Sequence, residues 1–161
     1  MTIRKAVPSD SKILTALTFA SKRYWNYPEE YIRIWEDELT ILEDYINNNE
    51  VYAAEVSGYI AGYASILYNP EDHLSGLTLV RKGYWLEHLF IHPDFIRQGI
   101  GVMLLDHVKS KCRDIGDCTK LFIFADPHAK GFYIKQGAVF LEDCPSSIPG
   151  RTLPLLELDI L

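Results

Sequence analysis

The chain has 161 residues, 48% of them hydrophobic and 24% charged, with a net charge of −6. That length suits one domain, residues 1–161, with a sizeable core, and the composition is that of an ordinary globular protein. No apolar run reaches membrane-span length, Arg4, Lys5 and Asp10 break any leader-like start, and the acidic balance disfavours a nucleic-acid face. Cys112, Cys118 and Cys144 are odd in number and lack metal-site spacing, which points to reduced thiols in a cytoplasm.

In chain order, Thr2–Ala6 reads as a strand and Pro8–Asp10 as a helix start, with Ile13, Leu14, Leu17 and Ala20 striping a helix to about Arg23. Tyr24-Trp-Asn-Tyr-Pro28 breaks it. A second helix from Pro28 to Leu39 places Tyr31, Ile32, Trp35 and Leu39 on one side. Thr40-Ile-Leu-Glu43 matches a capping box for a short helix to about Asn47. Val51–Val56 and Tyr59–Leu67, joined by Ser57-Gly58, predict a β-hairpin. Asn69–Gly76 reads as a polar loop, and Leu77–Val80 as an early start of the next strand.

That strand, Gly83 to Ile91, is apolar on both faces, as expected in the middle of a sheet. Pro93 and Asp94 end it. Arg97-Gln-Gly-Ile-Gly101 then leads into a helix to about Ile115. Thr119–Ala125 is a strand, Asp126-Pro127 opens a helix that Gly137 ends, and Ala138–Glu142 and Thr152–Ile160 are final strands. The order predicts a mixed α/β fold, a mostly antiparallel sheet flanked by helices.

A glycine-rich turn entering a helix is an anion site, because the first helical N–H groups lack internal partners and the helix dipole favours negative charge. The third glycine of a dinucleotide fingerprint is absent (Leu104 stands there), and no Gly-Lys-Ser/Thr follows. The stretch Leu86–Gly101 instead resembles the acetyl-CoA-binding motif of the GNAT N-acetyltransferase superfamily, with Ile96 at the usual Arg/Gln position and Arg97 one place later. Asp126-Pro-His-Ala-Lys-Gly-Phe-Tyr-Ile-Lys-Gln-Gly-Ala138 is similar to that superfamily's second motif, with Asp126 for Asn. The resemblance implies acetyl-CoA held by Leu89, Phe90, Ile91, Arg97, Gln98, Gly99, Ile100, Gly101 and Asp126. It also implies a pantetheine arm in the splay between residues 83–91 and Leu121–Ala125.

Acetyl transfer to an amine needs proton removal, an oxyanion donor and an acid for the leaving thiolate. Glu87 is the base expected here, a lone carboxylate in an apolar strand whose burial would bring it toward neutrality; the resemblance gives it the same role. His88, on the opposite face, is the substitute. His88 and His92 are roughly 13 Å apart on a strand, so no metal pair is expected. Tyr133 matches the family tyrosine near the coenzyme sulfur, and a phenol with a pKa of about 10 can donate a proton at neutral pH.

Tyr24, Trp25 and Tyr27, with Tyr31 and Trp35, form an aromatic segment suited to a cationic amine. Arg151 suits a carboxylate, which points toward amino acids or peptides. The expected activity is acetyl transfer from acetyl-CoA to a primary amine of a small molecule. The alternatives are peptide or protein acetylation and a non-catalytic acyl-CoA sensor. No nucleic-acid or membrane partner is expected, and the resemblance makes a homodimer the expected assembly.

Overall fold

The computed structural model describes residues 1–161. Strands β1 (Thr2–Lys5), β2 (Glu50–Val56), β3 (Tyr59–Asn69), β4 (His73–Ser75), β5 (Thr78–Val80), β6 (Gly83–Ile91), β7 (Lys120–Phe124), β8 (Val139–Pro145) and β9 (Thr152–Asp159) alternate with five helices. These are α1 (Ser11–Tyr24), α2 (Glu29–Leu39), α3 (Glu43–Asn48), α4 (Ile100–Ile115) and α5 (Lys130–Lys135). Seven strands form one sheet in the order β1-β2-β3-β6-β7-β9-β8, while β4 and β5 pair separately. The pairs β1–β2, β2–β3, β7–β9 and β8–β9 are antiparallel and β6–β7 is parallel. The sheet is therefore mixed and mostly antiparallel, as expected. The chain divides into two compact units, residues 1–66 with 88–108, and residues 67–87 with 109–161.

In the first unit, Ser57 and Gly58 both have positive φ, 52° and 83°, the backbone that a two-residue hairpin turn requires. Inside lie Ala6, Leu14, Leu17, Ile41, Ile46, Val51 and Tyr63. The Thr18 and Tyr63 hydroxyls meet at 2.5 Å, so neither buried oxygen is left unsatisfied. Ile100, Leu104 and Val108 recur every four residues on α4 and are buried. Gly62 allows a close approach: a Cβ there would stand 2.7 Å from Ile91 Cδ1 and 2.9 Å from the Phe90 carbonyl oxygen.

At the start of the same unit, Arg4 Nη1 lies 2.8 Å from Asp10 Oδ2 and Nη2 is 3.1 Å from Oδ1. Arg4 Nε donates to Glu55 across the β1–β2 pair. Asp10 also accepts from Val7 N–H at 2.9 Å, closing the turn before α1. Hydrogen bonding from Arg4 holds the Asp10 carboxyl below its ordinary range, against the opposing effect of burial.

In the second unit, Trp85, Phe122, Cys144 and Leu155 form the core. Trp85 pairs with Phe122 in the β6–β7 register, and its indole N–H donates to the Arg81 carbonyl at 2.9 Å. β9 lies between β7 and β8, with Phe124 opposite Leu155 and Phe140 opposite Leu156.

Two local expectations are corrected. Leu77–Val80 does not begin the central strand: Thr78–Val80 turns back on His73–Ser75, with Gly76 in the left-handed region at φ 62°. The segment expected as a polar loop therefore carries a strand. Thr40 does not cap α3. Its hydroxyl donates back to the Glu36 carbonyl at the end of α2, and Leu42 precedes the first turn of α3 without a side-chain cap.

Gly62→Ala is expected to destabilise the fold by about 1–3 kcal/mol, because one of the crowding atoms is backbone; chemical denaturation measures it, and an unchanged midpoint would show that β6 can shift. Asp10→Ala should lower the melting temperature by roughly 2–4 °C at pH 7. The depressed carboxyl stabilises above its unfolded value of about 3.9, and that contribution is lost as pH falls through the still lower folded value. The gap between wild type and variant should therefore close on acidification, as melts at pH 7 and below pH 3 would reveal.

Candidate functional site

The anion-binding turn belongs to the first unit. After β6, Asp94 N–H donates to His92 Nδ1 at 3.1 Å and Phe95 N–H to the His92 carbonyl at 2.9 Å. The chain then reverses through Arg97 at φ 63° and Gly99 at φ 80°. An arginine in the left-handed region is uncommon, and it aims successive backbone N–H groups into a concave turn. Met103 N–H donates to the Gly99 carbonyl at 3.1 Å, so the amides of Ile100, Gly101 and Val102 precede the internal ladder of α4. No heavy atom lies within 4 Å of where a Gly99 Cβ would stand. Arg97, Gln98 and Gly99 are exposed and Ile100 is buried. This part fits a pyrophosphate: bare amides, open space and a positive helix end. Leu89, Phe90 and Ile91 are half-buried at the end of β6.

The aromatic segment lies in the same unit but is arranged differently from expectation. Tyr27 packs edge-on to Trp35 at 5.1 Å, and Tyr31 to Trp35 at 5.9 Å. The cation among these rings is the chain's own Lys22, which is buried. Its Nζ lies 4.5 Å from the centre of Trp35 and 5.7 Å from Tyr27 and from Phe90. Tyr24 and Trp25 form a T-shaped pair at 4.9 Å and remain exposed. The sequence reading missed Lys22. The signal was present, because Leu14, Thr18 and Lys22 share one face of α1 at four-residue spacing and are all buried. His88 is buried against Tyr45, Tyr63 and Phe90, with ring centres 5.6–6.0 Å apart.

The second unit holds Glu87, Asp126, Tyr133 and Arg151. Glu87 is exposed on β6, so the burial on which its role as a tuned base was argued is not present. Period-two alternation puts Trp85 and Glu87 on the same face, yet Trp85 is buried and Glu87 is exposed. Tyr133 is buried at 5% exposure. Burial, with a smaller contribution from the Asp126 carboxylate, pushes its phenol well above the ordinary range, so it is protonated throughout the neutral range. Asp126 accepts from His128 N–H at 2.9 Å, and Arg151 Nη2 lies 3.6 Å from Asp126 Oδ2. The sequence reading named both residues without pairing them.

Cys112, Cys118 and Cys144 are buried, and burial raises all three thiols above their ordinary range. None is suited to act as an acyl-accepting nucleophile. No helix is long and apolar enough to cross a membrane.

Residues 18–138 match the model of the acetyltransferase (GNAT) family. The chain is 27% identical over 135 residues to the peptidyl-lysine N-acetyltransferase YjaB of Salmonella typhimurium, covering 81% of this chain and 89% of that one. A GCN5-related N-acetyltransferase structure from Rhodopseudomonas palustris superposes with a TM-score of 0.78 at 22% identity, covering 98% and 94% of the two chains. The PaiA N-acetyltransferase of Thermoplasma acidophilum, solved with coenzyme A, gives 0.73 at 17% identity, covering 98% of each.

Ellman's reagent should modify the three thiols of the folded protein on the order of a hundredfold more slowly than those of the denatured chain. One thiol reacting as fast when folded would reopen an acyl-cysteine route.

Proposed function

The chain belongs to the acetyltransferase (GNAT) family, and from that premise we propose that it moves an acetyl group from acetyl-CoA to a primary amine of a small molecule by direct transfer in a ternary complex. The observation that carries the mechanism is Tyr133, a buried phenol held in its protonated form. The leaving thiolate needs an acid, and the Tyr133 hydroxyl, protonated at neutral pH and matching the tyrosine of the family motif, is the candidate.

The amine nitrogen, deprotonated, attacks the thioester carbonyl carbon. The oxyanion meets a backbone N–H near Phe90 or Ile91. The C–S bond breaks, and the thiolate takes the proton of Tyr133, which solvent then returns. Glu87 receives the ammonium proton before attack, directly or through water, and its exposure gives that proton an exit to solvent; the second N–H proton leaves to solvent as the tetrahedral intermediate collapses to the amide. The Ile100–Val102 amides hold the pyrophosphate, with Gly99 leaving them unobstructed. Tyr24 and Trp25, the exposed pair of the aromatic segment, are the acceptor contacts, since Lys22 already fills the space among Tyr27, Trp35 and Phe90. Buried thiols support direct transfer over a covalent acyl-enzyme.

Peptidyl-lysine acetylation is the second reading, favoured by the activity named for the Salmonella relative. Its acceptor is also a primary amine, so the chemistry is unchanged and only the acceptor surface differs.

Thiol release from acetyl-CoA across polyamines, amino acids, aminoglycosides and lysine peptides tests the proposal. Acceptor-dependent release should appear, and Tyr133→Phe should reduce kcat by roughly 10²–10³-fold while acetyl-CoA still binds. Release with lysine peptides alone would establish the second reading. Binding without release for any acceptor would mean a sensor, and absence of acetyl-CoA binding would sink the assignment.

A further inference from the structure

A cavity of about 510 Å³ opens in the first unit among three segments: β1 with the start of α1, the β2–β3 hairpin, and the turn that follows β6. That size suits a small organic molecule. None of residues 97–102 lines it, and neither does Tyr24 or Trp25. It is therefore separate from the anion turn and from the exposed aromatic pair.

Three carboxylates and one guanidinium line the cavity, those of Asp10, Glu55, Asp94 and Arg4. The guanidinium is already committed. Its Nη1 and Nη2 hold the two Asp10 oxygens, Nη1 also donates to the Lys5 carbonyl at 3.2 Å, and Nε donates to Glu55. An anionic ligand would find no spare cation here. Asp10 is committed as well, to Arg4 and to Val7 N–H. The other two carboxylates are not. Glu55 accepts from Arg4 through Oε1, which leaves its Oε2. The Asp94 side chain is 82% exposed, and its partner is His92 Nδ1 at 3.7 Å. That nitrogen accepts from Asp94 N–H, and a ring nitrogen that accepts carries no proton. It therefore does not neutralise the carboxylate, and the cavity keeps a surplus of negative charge.

The remaining walls are apolar. Tyr59 and Ile13 are 69% and 53% exposed, so the chain's own packing leaves them uncovered. Phe95 is half-buried, with its ring 6.1 Å from that of His92 in a T-shaped pair. Aromatic rings beside carboxylates suit an ammonium joined to an apolar body. A metal ion fits less well, because no three His, Cys, Asp or Glu side chains of the protein stand close enough together to hold one.

We propose that this cavity is a second ligand site, which takes a small organic ammonium ion. The charged nitrogen lies toward Glu55 Oε2 and Asp94, and the apolar body lies against Tyr59, Ile13 and Phe95. The site is independent of the function proposed above, since no acetyl transfer is needed at it. Its floor is firm: His92 N–H donates to the Ala61 carbonyl at 2.8 Å, and Phe95 N–H to the His92 carbonyl at 2.9 Å.

Titration calorimetry of the full chain with N,N-dimethylphenethylamine tests it. This probe is charged at neutral pH and, as a tertiary amine, cannot be acetylated. It should bind with a dissociation constant of roughly 0.1–1 mM. 3-Phenylpropionate, similar in shape and opposite in charge, should bind at least about tenfold more weakly. Glu55→Gln keeps the oxygen that accepts from Arg4 Nε and removes the charge; it should weaken the probe about threefold to tenfold. Tyr59→Ala should weaken it about threefold, and it carries the test if the Glu55 variant melts well below wild type. Tyr24→Ala should leave probe binding unchanged. Absence of binding to wild type would overturn the site, and equal binding of phenylpropionate would overturn its cationic class. Binding that Tyr24→Ala abolishes and Tyr59→Ala spares would place the probe on the acceptor contacts and refute the second site. Acetyl-CoA binding and thiol release are measured separately, so the failure of either reading is seen without the other.

Discussion

A strand that is apolar on both faces must satisfy its backbone on both edges, and β6 is that strand. Trp85, Leu86 and His88 are buried on β6, so its backbone groups are paired within the sheet, which places β6 between β3 and β7. The close approach of β3 depends on Gly62, where even a methyl group would meet the Phe90 carbonyl. His92 N–H donating to the Ala61 carbonyl at 2.8 Å carries the same strand pair one residue past the end of β6. Only after this does the chain turn at Pro93 and reverse through Arg97 and Gly99. The exposed amides before α4 thus stand on rigid strand backbone, which is what an anion site needs to be pre-organised.

Most of the architecture was legible because it depends on local rules. Ser57-Gly58 supplied both positive-φ residues of a hairpin turn, and four-residue recurrence of apolar side chains marked α1, α2 and α4. What escaped had a competing partner that no local rule shows. Thr40 satisfied a capping template by sequence, yet the Glu36 carbonyl at the end of α2 was the nearer acceptor. Leu77–Val80 looked continuous with β6, but Gly76 allowed a reversal that pairs it with His73–Ser75.

The site divides in the same way. The glycine turn was readable from spacing because its function belongs to the backbone. The burial expected for Glu87 is absent because alternation tells which face a side chain takes and not how far that face is covered. Lys22 was missed because aromatic residues near a proposed acceptor region suggested a cage for an external cation, and an internal one was not considered. A buried lysine keeps its charge at lower cost when ring faces replace part of its hydration, and Trp35 at 4.5 Å provides that. A cage filled from within no longer selects for a cationic acceptor, so the aromatic content of residues 24–35 says less about a cationic amine than composition alone suggests.

Asp126 shows how far one side chain's effects extend. Its hydrogen bond to His128 N–H is a short-range contact that any suitable oxygen could make. Its ion pair with Arg151 requires a full charge, and charge acts over longer distances where water is scarce. The first contact shapes a turn and the second ties that turn to the loop before β9. The residue expected to touch coenzyme and the residue expected to touch acceptor are thereby held together at the turn before α5.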